Sequence, residues 1–126
     1  IILIIDESSS VLKVDRVLFW KYNDKGIKLE YNNFNDNGLI EGQLINKQEF
    51  PKYFESMLKN NSLIVNDVES NPNTHELYDY YFKPNGIKSL IDHIIKINGK
   101  IDRIICFEED HYRNWNDDEI RFMQTI

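Results

Sequence analysis

Ile27, Leu29 and Tyr31 alternate with Lys28, Glu30 and Asn32, the two-residue period of a half-buried strand. Just before them, Arg16 to Tyr22 is rich in β-formers: Val17, Leu18, Phe19, Trp20 and Tyr22. Asn23-Asp24-Lys25-Gly26 between the two runs supplies a turn, with a glycine able to take positive φ. The pattern predicts a hairpin over Arg16–Asn33. A second alternation runs from Ile87 to Ile97. It places Ile87, Ser89, Ile91, His93, Ile95 and Ile97 on one face and Lys88, Leu90, Asp92, Ile94 and Lys96 on the other. Asn98-Gly99 then leads into Ile101–Glu108, which predicts a second hairpin. Leu63-Ile64-Val65 forms a short strand ending at Asn66-Asp67.

Helical spacing appears four times. Ile1, Ile4, Ile5, Val11 and Leu12 share a stripe, weakened by Ser8-Ser9-Ser10, and predict a first helix over about 1–12. Phe50, Phe54, Met57 and Leu58 predict a helix from Pro51 to Lys59, stopped by Asn60-Asn61. After a turn at Glu69–Pro72, Asn73 and Glu76 have the spacing of a capping box. The helix they would start carries Leu77, Tyr78, Tyr81 and Phe82 and ends at Pro84-Asn85-Gly86. Asn116 and Glu119 form a second such box, ahead of Ile120, Phe122, Met123 and Ile126. A polar loop, Asn32–Gly42, is anchored by Leu39 and Ile40. Two hairpins separated by helices predict an α+β architecture, an antiparallel sheet with helices packed on it.

Composition narrows the function. The 126 residues fit one domain, and 41% hydrophobic with 13% aromatic content argues for a packed globule. Eighteen Ile, fifteen Asn and eleven Lys against four Arg read as a codon bias toward A and T, with no bearing on function. The net charge of −6 disfavours nucleic acid and anionic membrane as partners. The longest apolar run, Ile1–Ile5, is far short of the roughly 20 residues that span a bilayer, and no signal peptide is visible. The lone Cys106 leaves no internal disulfide and no zinc site built on several cysteines. The chain starts without Met and both ends carry Ile, so the expectation is a piece of a larger cytoplasmic protein, cut within two helices.

From Val14 onward an ordered series of motifs resembles a GAF domain, the small ligand-sensing module of signalling proteins. The series is Val14-Asp15-Arg16-Val17 leading to Trp20, then Phe50-Pro51-Lys52-Tyr53-Phe54-Glu55, then Ile64-Val65-Asn66-Asp67. It continues with Gly86-Ile87-Lys88-Ser89-Leu90-Ile91-Asp92 and ends with Cys106-Phe107-Glu108, Arg113, Trp115 and Glu119. Ile94, where many relatives have Pro, and Arg103, where Gly is usual, depart from the pattern. The resemblance implies a six-stranded antiparallel sheet. Terminal helices would pack on one face, and short helices and loops on the other would enclose a pocket. It divides the chain into an N-terminal helix over 1–13 and a GAF-like domain over 14–126. It also implies an output domain in the same chain, a histidine kinase first and a diguanylate cyclase second, with a homodimer formed through the terminal helices. The competing reading is a ligand-free dimerisation or spacing element.

The chemistry is sparse. Arg16 and Glu108 are expected to face each other across neighbouring strands as a bidentate structural pair. Trp115 with Arg113 reads as a packing element, and Asn116 and Glu119 as caps. His75, His93 and His111 lack partners at metal-binding spacing, so no metal is expected. Cys106, among Ile104, Ile105 and Phe107, reads as a buried, inert thiol. No cofactor is expected, with haem and bilin both disfavoured, and the reductase branch of the family would need several cysteines. Asn46-Lys47-Gln48-Glu49-Phe50 through Glu55 imitates a cyclic-nucleotide motif but stands in the wrong part of the domain. There is no glycine-rich phosphate loop and no catalytic set, so this domain by itself is read as a non-enzyme. If a pocket exists, Trp20, Asp67, Tyr78, Tyr81, Ser89 and His93 are the expected ligand contacts, aromatic walls with a few orienting polar groups. The competing account of the tyrosines is plain packing.

Overall fold

The computed structural model describes residues 14–32 and 43–125. The first helix expected over 1–12, and residues 33–42 of the polar loop, lie outside the described residues. Eight regular elements follow in order: β1 (Arg16–Asn23), β2 (Gly26–Asn32), β3 (Leu44–Asn46), α1 (Pro51–Asn60), β4 (Ser62–Val65), β5 (Ser89–Ile97), β6 (Lys100–Glu109) and α2 (Asp117–Gln124). Between β4 and β5 a 3-10 turn, His75–Leu77, runs into a π-helical turn, Tyr78–Phe82. The six strands form one antiparallel sheet in the order β3-β2-β1-β6-β5-β4. No helix among the described residues is long and apolar enough to cross a membrane.

Both predicted hairpins form, and their turns show why. Asn98 and Gly99 have φ of 54° and 78°, the left-handed pair that joins β5 to β6 with the right twist. Gly26 has φ of 147°, and a Cβ there would meet the Ile45 carbonyl oxygen at 2.0 Å. Only glycine lets β2 start this close to β3. That third strand is the one the sequence pattern missed. Three residues are too few to show a period, and only Ile45 among them is buried.

The sheet separates two cores. On one face Leu18, Trp20, Ile27, Leu29, Leu90, Ile94, Ile104 and Cys106 pack against Tyr53, Phe54 and Met57 of α1 and against Leu77, Tyr81 and Phe82. On the other, Val17, Phe19, Ile91, Ile105 and Phe107 pack with Trp115 and with Met123 of α2. A β-bulge between Phe19 and Trp20 pairs Trp20 with Leu29 and Phe19 with Tyr31, leaving Glu30 as the extra residue. Tyr31 therefore leaves the face of Ile27 and Leu29, where simple alternation put it, and joins the α2 side.

The helix ends follow the caps. α1 stops at Asn61, whose φ of 62° closes it in the left-handed conformation. The Asn116–Glu119 capping box forms in full: Glu119 N–H donates to Asn116 Oδ1 at 2.8 Å, and Asn116 N–H to Glu119 Oε1 at 3.0 Å. The Asn73–Glu76 box does not form. Glu76 instead accepts the Tyr53 N–H at 3.0 Å, and so caps the first turn of α1 from a distance. α1 needs this, since the residue at its own start, Phe50, has no side-chain oxygen to offer. Freed of its box, the segment after Asn73 winds as 3-10 and then π rather than as an α-helix.

Candidate functional site

Strand alternation decides which predicted residues can meet. Trp20 on β1, Asp92 on β5 and Cys106 and Glu108 on β6 share the face under α1, because Leu18 pairs with Cys106, Cys106 with Asp92 and Arg16 with Glu108. Tyr53 reaches this face from α1 and Tyr81 from the π-helical turn. A π turn gives one extra residue per turn and re-aims the side chains on it. Here it sets Tyr81 edge-on to Trp20, with ring centroids 5.6 Å apart and planes at 73°.

A buried polar group results. The Tyr53 hydroxyl donates to Asp92 Oδ2 at 2.5 Å and the Tyr81 hydroxyl to Glu108 Oε2 at 3.0 Å. Both carboxyls are 1% exposed. Among the described residues Glu108 Oε1 and Asn85 Oδ1 have no hydrogen-bond partner, and Trp20 Nε1 and the second oxygen of Asp92 have none beyond the weakly bonding Cys106 thiol. Asn85 borders the group, since its amide donates to the Tyr81 carbonyl and its own carbonyl accepts from Arg16. Burying a polar atom without a partner costs about 1–3 kcal/mol, so such atoms on one patch are a feature to be accounted for.

Burial also sets the charges. Desolvation lifts Asp92 to about 6, with the Cys106 thiol and Tyr53 hydroxyl pulling the other way. It lifts Glu108 to about 8, aided by the Asp92 charge and opposed by Tyr81 and Arg16. Burial thus favours the protonated form of both carboxyls, that of Glu108 more strongly than that of Asp92. Desolvation and the two carboxyls push the Tyr53 and Tyr81 hydroxyls and the Cys106 thiol well up as well.

Of the six residues expected at a pocket, Trp20 and Tyr81 are together in this group. Tyr78 packs at the edge of the same core. Asp67 is spent on a turn, its Oδ1 accepting from Glu69 and Ser70 N–H. Ser89 and His93 belong to the opposite face and cannot share a pocket with Trp20. They have the parity of Ile91, which packs on the α2 side. Ser89 Oγ donates to the His111 carbonyl at 2.8 Å, and His93 is half-buried opposite Ile105. The Arg16–Glu108 pair is correct in register but not bidentate, because Glu108 Oε1 stays unpartnered while Oε2 accepts from Tyr81. Sequence reasoning missed Asp92, Tyr53 and Asn85. A signal was present: Asp92 interrupts an otherwise apolar strand stretch, and an acid there is rarely buried without a purpose.

On the other face Asp15, Glu109 and His111 bring ligand atoms within 4.8 Å of one another. Glu109 is already engaged by the Asp15 N–H at 2.9 Å and by Arg113 at 3.2 Å. His111 Nε2 lies 2.9 Å from Glu109 Oε2, and Arg113 links Glu109 to Glu119 at the start of α2.

No family model and no curated protein matches the sequence. Solved structures do match the fold. The GAF domain of a two-component sensor histidine kinase from Bacillus halodurans superposes with a TM-score of 0.75 at 17% identity, covering 99% of this chain and 86% of that one. A domain of a putative two-component sensor histidine kinase from Sinorhizobium meliloti gives 0.69 at 16%, covering 96% and 79%. The photoproduct state of GAF3 from Slr1393 of Synechocystis gives 0.73 at 16%, covering 96% and 82%. With its six-stranded antiparallel sheet and flanking helices, the chain has the GAF fold.

Proposed function

We propose that this domain is a sensory module that binds a small molecule at the Trp20–Asp92–Glu108 face and passes its occupancy to an attached output domain. The observation that carries this is the set of buried polar atoms left without partners inside an otherwise apolar layer. Such atoms are what a ligand with matching polar groups would satisfy. The likeness to sensor-kinase GAF domains favours a histidine kinase output; a diguanylate cyclase is the second reading. A ligand controls such a module only by binding two states unequally. The conformation that changes would involve the π-helical turn, whose Tyr81 touches both Trp20 and Glu108. No covalent chromophore is proposed, since the Cys106 thiol is buried and desolvation raises its pKa, both of which disfavour the thiolate. Cytoplasmic placement and dimerisation through the terminal helices complete the proposal.

The test is a thermal-shift screen of the chain against a panel of small metabolites, followed by a crystal structure with any hit. A hit whose density touches Asp92 or Glu108 supports the proposal. The ligand-free spacer reading wins instead if no compound shifts the melting temperature and the crystal shows the orphan atoms bridged by ordered waters.

A further inference from the structure

A different cluster stands where the chain enters β1 and leaves β6. One ligand atom from each of Asp15, Glu109 and His111 lies within 4.8 Å of the other two. Asp15 and Glu109 are 94 residues apart in sequence, a separation that no linear metal motif reports. Burial is graded. The Glu109 side chain is 1% exposed, while those of Asp15 and His111 are 41% and 58% exposed and open a path from solvent.

The imidazole sets this cluster apart from a plain group of acids. Both of its ring nitrogens face carboxylate oxygens, Nε2 with Glu109 Oε2 at 2.9 Å and Nδ1 with Asp110 Oδ1 at 3.1 Å. A neutral imidazole carries one N–H. One contact is then a hydrogen bond, and the other sets two lone pairs against each other unless a positive centre stands between them. A second proton would settle the ring but not Asp15, whose Oδ2 is 3.7 Å from Nδ1, outside hydrogen-bond range. A metal ion settles all three donors at once. With Nδ1–H donating to Asp110, the Nε2 lone pair turns toward Glu109, the arrangement of a carboxylate–histidine–metal triad.

We infer that Asp15, Glu109 and His111 bind a divalent transition-metal ion such as zinc, with Asp110 orienting the His111 ring. One imidazole nitrogen and two carboxylate oxygens favour such an ion over magnesium or calcium, which take oxygen ligands. Three protein donors leave a fourth position to water. Donors around a four-coordinate ion at about 2.0–2.2 Å stand roughly 3.4 Å apart, so the three close on it by rotation of the two exposed side chains. Glu109 keeps its Oε1 for the Asp15 N–H and Arg113. The ion clamps the chain just before β1 to the segment that leads into α2. It lies across the sheet from the Trp20 group and is independent of any ligand there.

The chain, without an affinity tag and stripped with a chelator, is titrated with zinc chloride by calorimetry and by two-dimensional amide NMR. One ion per chain is expected, with the largest shifts at Asp15 and at residues 109–112. Magnesium and calcium are expected to bind at least a hundredfold more weakly. His111→Ala and Asp15→Asn are each expected to weaken zinc binding at least tenfold, and His75→Ala, at an exposed histidine outside the cluster, to leave it unchanged. Zinc binding that is lost in His75→Ala, or kept in both His111→Ala and Asp15→Asn, overturns the assignment. Magnesium binding as tight as zinc overturns the choice of ion. No saturable binding overturns the site outright, and nitrogen-15 shifts of a doubly protonated His111 would then identify a proton as the bridging charge. The shift map uses the unaltered chain, so the inference is tested even if a variant fails to fold.

Discussion

The Tyr81 hydroxyl donates to Glu108 Oε2 at 3.0 Å, from a π-helical turn to a β-strand, with both side chains almost wholly buried. It ties the π-helical turn directly to the C-terminal end of β6. Tyr81→Phe removes that hydroxyl and leaves a buried carboxyl oxygen without its donor. A loss of about 1–3 kcal/mol is expected by denaturant unfolding. Combined with Glu108→Gln, the two losses should fall well short of additive, because both changes break the same contact. Strict additivity would show that the hydrogen bond contributes nothing.

Stability is expected to fall as pH rises, the reverse of ordinary acid unfolding. Glu108 holds its proton to about 8 in the fold against 4.5 in the open chain, and Asp92 to about 6 against 3.8. Between each pair of values the folded state binds more protons, so unfolding becomes easier with pH. The slope is about 1.4 kcal/mol per pH unit for each proton involved. Chemical denaturation across pH 4 to 9 should show the decline, levelling off above about 8. Glu108→Gln should confine the decline to below about 6. A flat profile would remove the case for buried carboxyls.

Gly26→Ala should damage the β2–β3 edge. The added methyl collides with the Ile45 carbonyl, and alanine is strained at a φ of 147°. The backbone strain alone is worth about 1–3 kcal/mol. Hydrogen exchange at Leu29 and Lys47 N–H, which bond across this edge to Gln43 and Lys25, should speed up before any change is seen in β5. An unaltered melting temperature would mean that β3 shifts freely.

Asn116→Ala removes the side-chain half of the α2 capping box. A cost of about 1 kcal/mol is expected, together with faster exchange at Glu119 N–H, the group it caps. Asn116→Asp should restore the cap and leave stability close to that of the original chain.

The sequence was most legible where one local signal sufficed. Asn98-Gly99, Gly26, Pro51 and the Asn116 box each encode a turn or helix end within four residues. It was least legible where distant residues competed. Glu76 has the spacing to cap its own segment, yet the bare N-terminus of α1 takes it. Glu30 becomes a bulge that turns Tyr31 over, which period alone cannot show. The site suffered the same way. Alternation sorted Ser89 and His93 from Asp92 correctly, but which set faces α1 is decided by how the layers stack, and the layers are long-range.

Glu108 and Glu109 are consecutive, so they point to opposite sides of the sheet. The first lies among Tyr81 and the orphan atoms. The second holds Arg113, and Arg113 also grips Glu119 in the first turn of α2. The two chemistries of this fold, a carboxyl hidden with its proton and a carboxylate spent on an arginine, are thus neighbours along one strand. Between the hidden acid and the ion-paired start of α2 there is thus one peptide unit, across the sheet rather than along it. This makes the end of β6 the place where a rigid sheet is thin enough to be transparent.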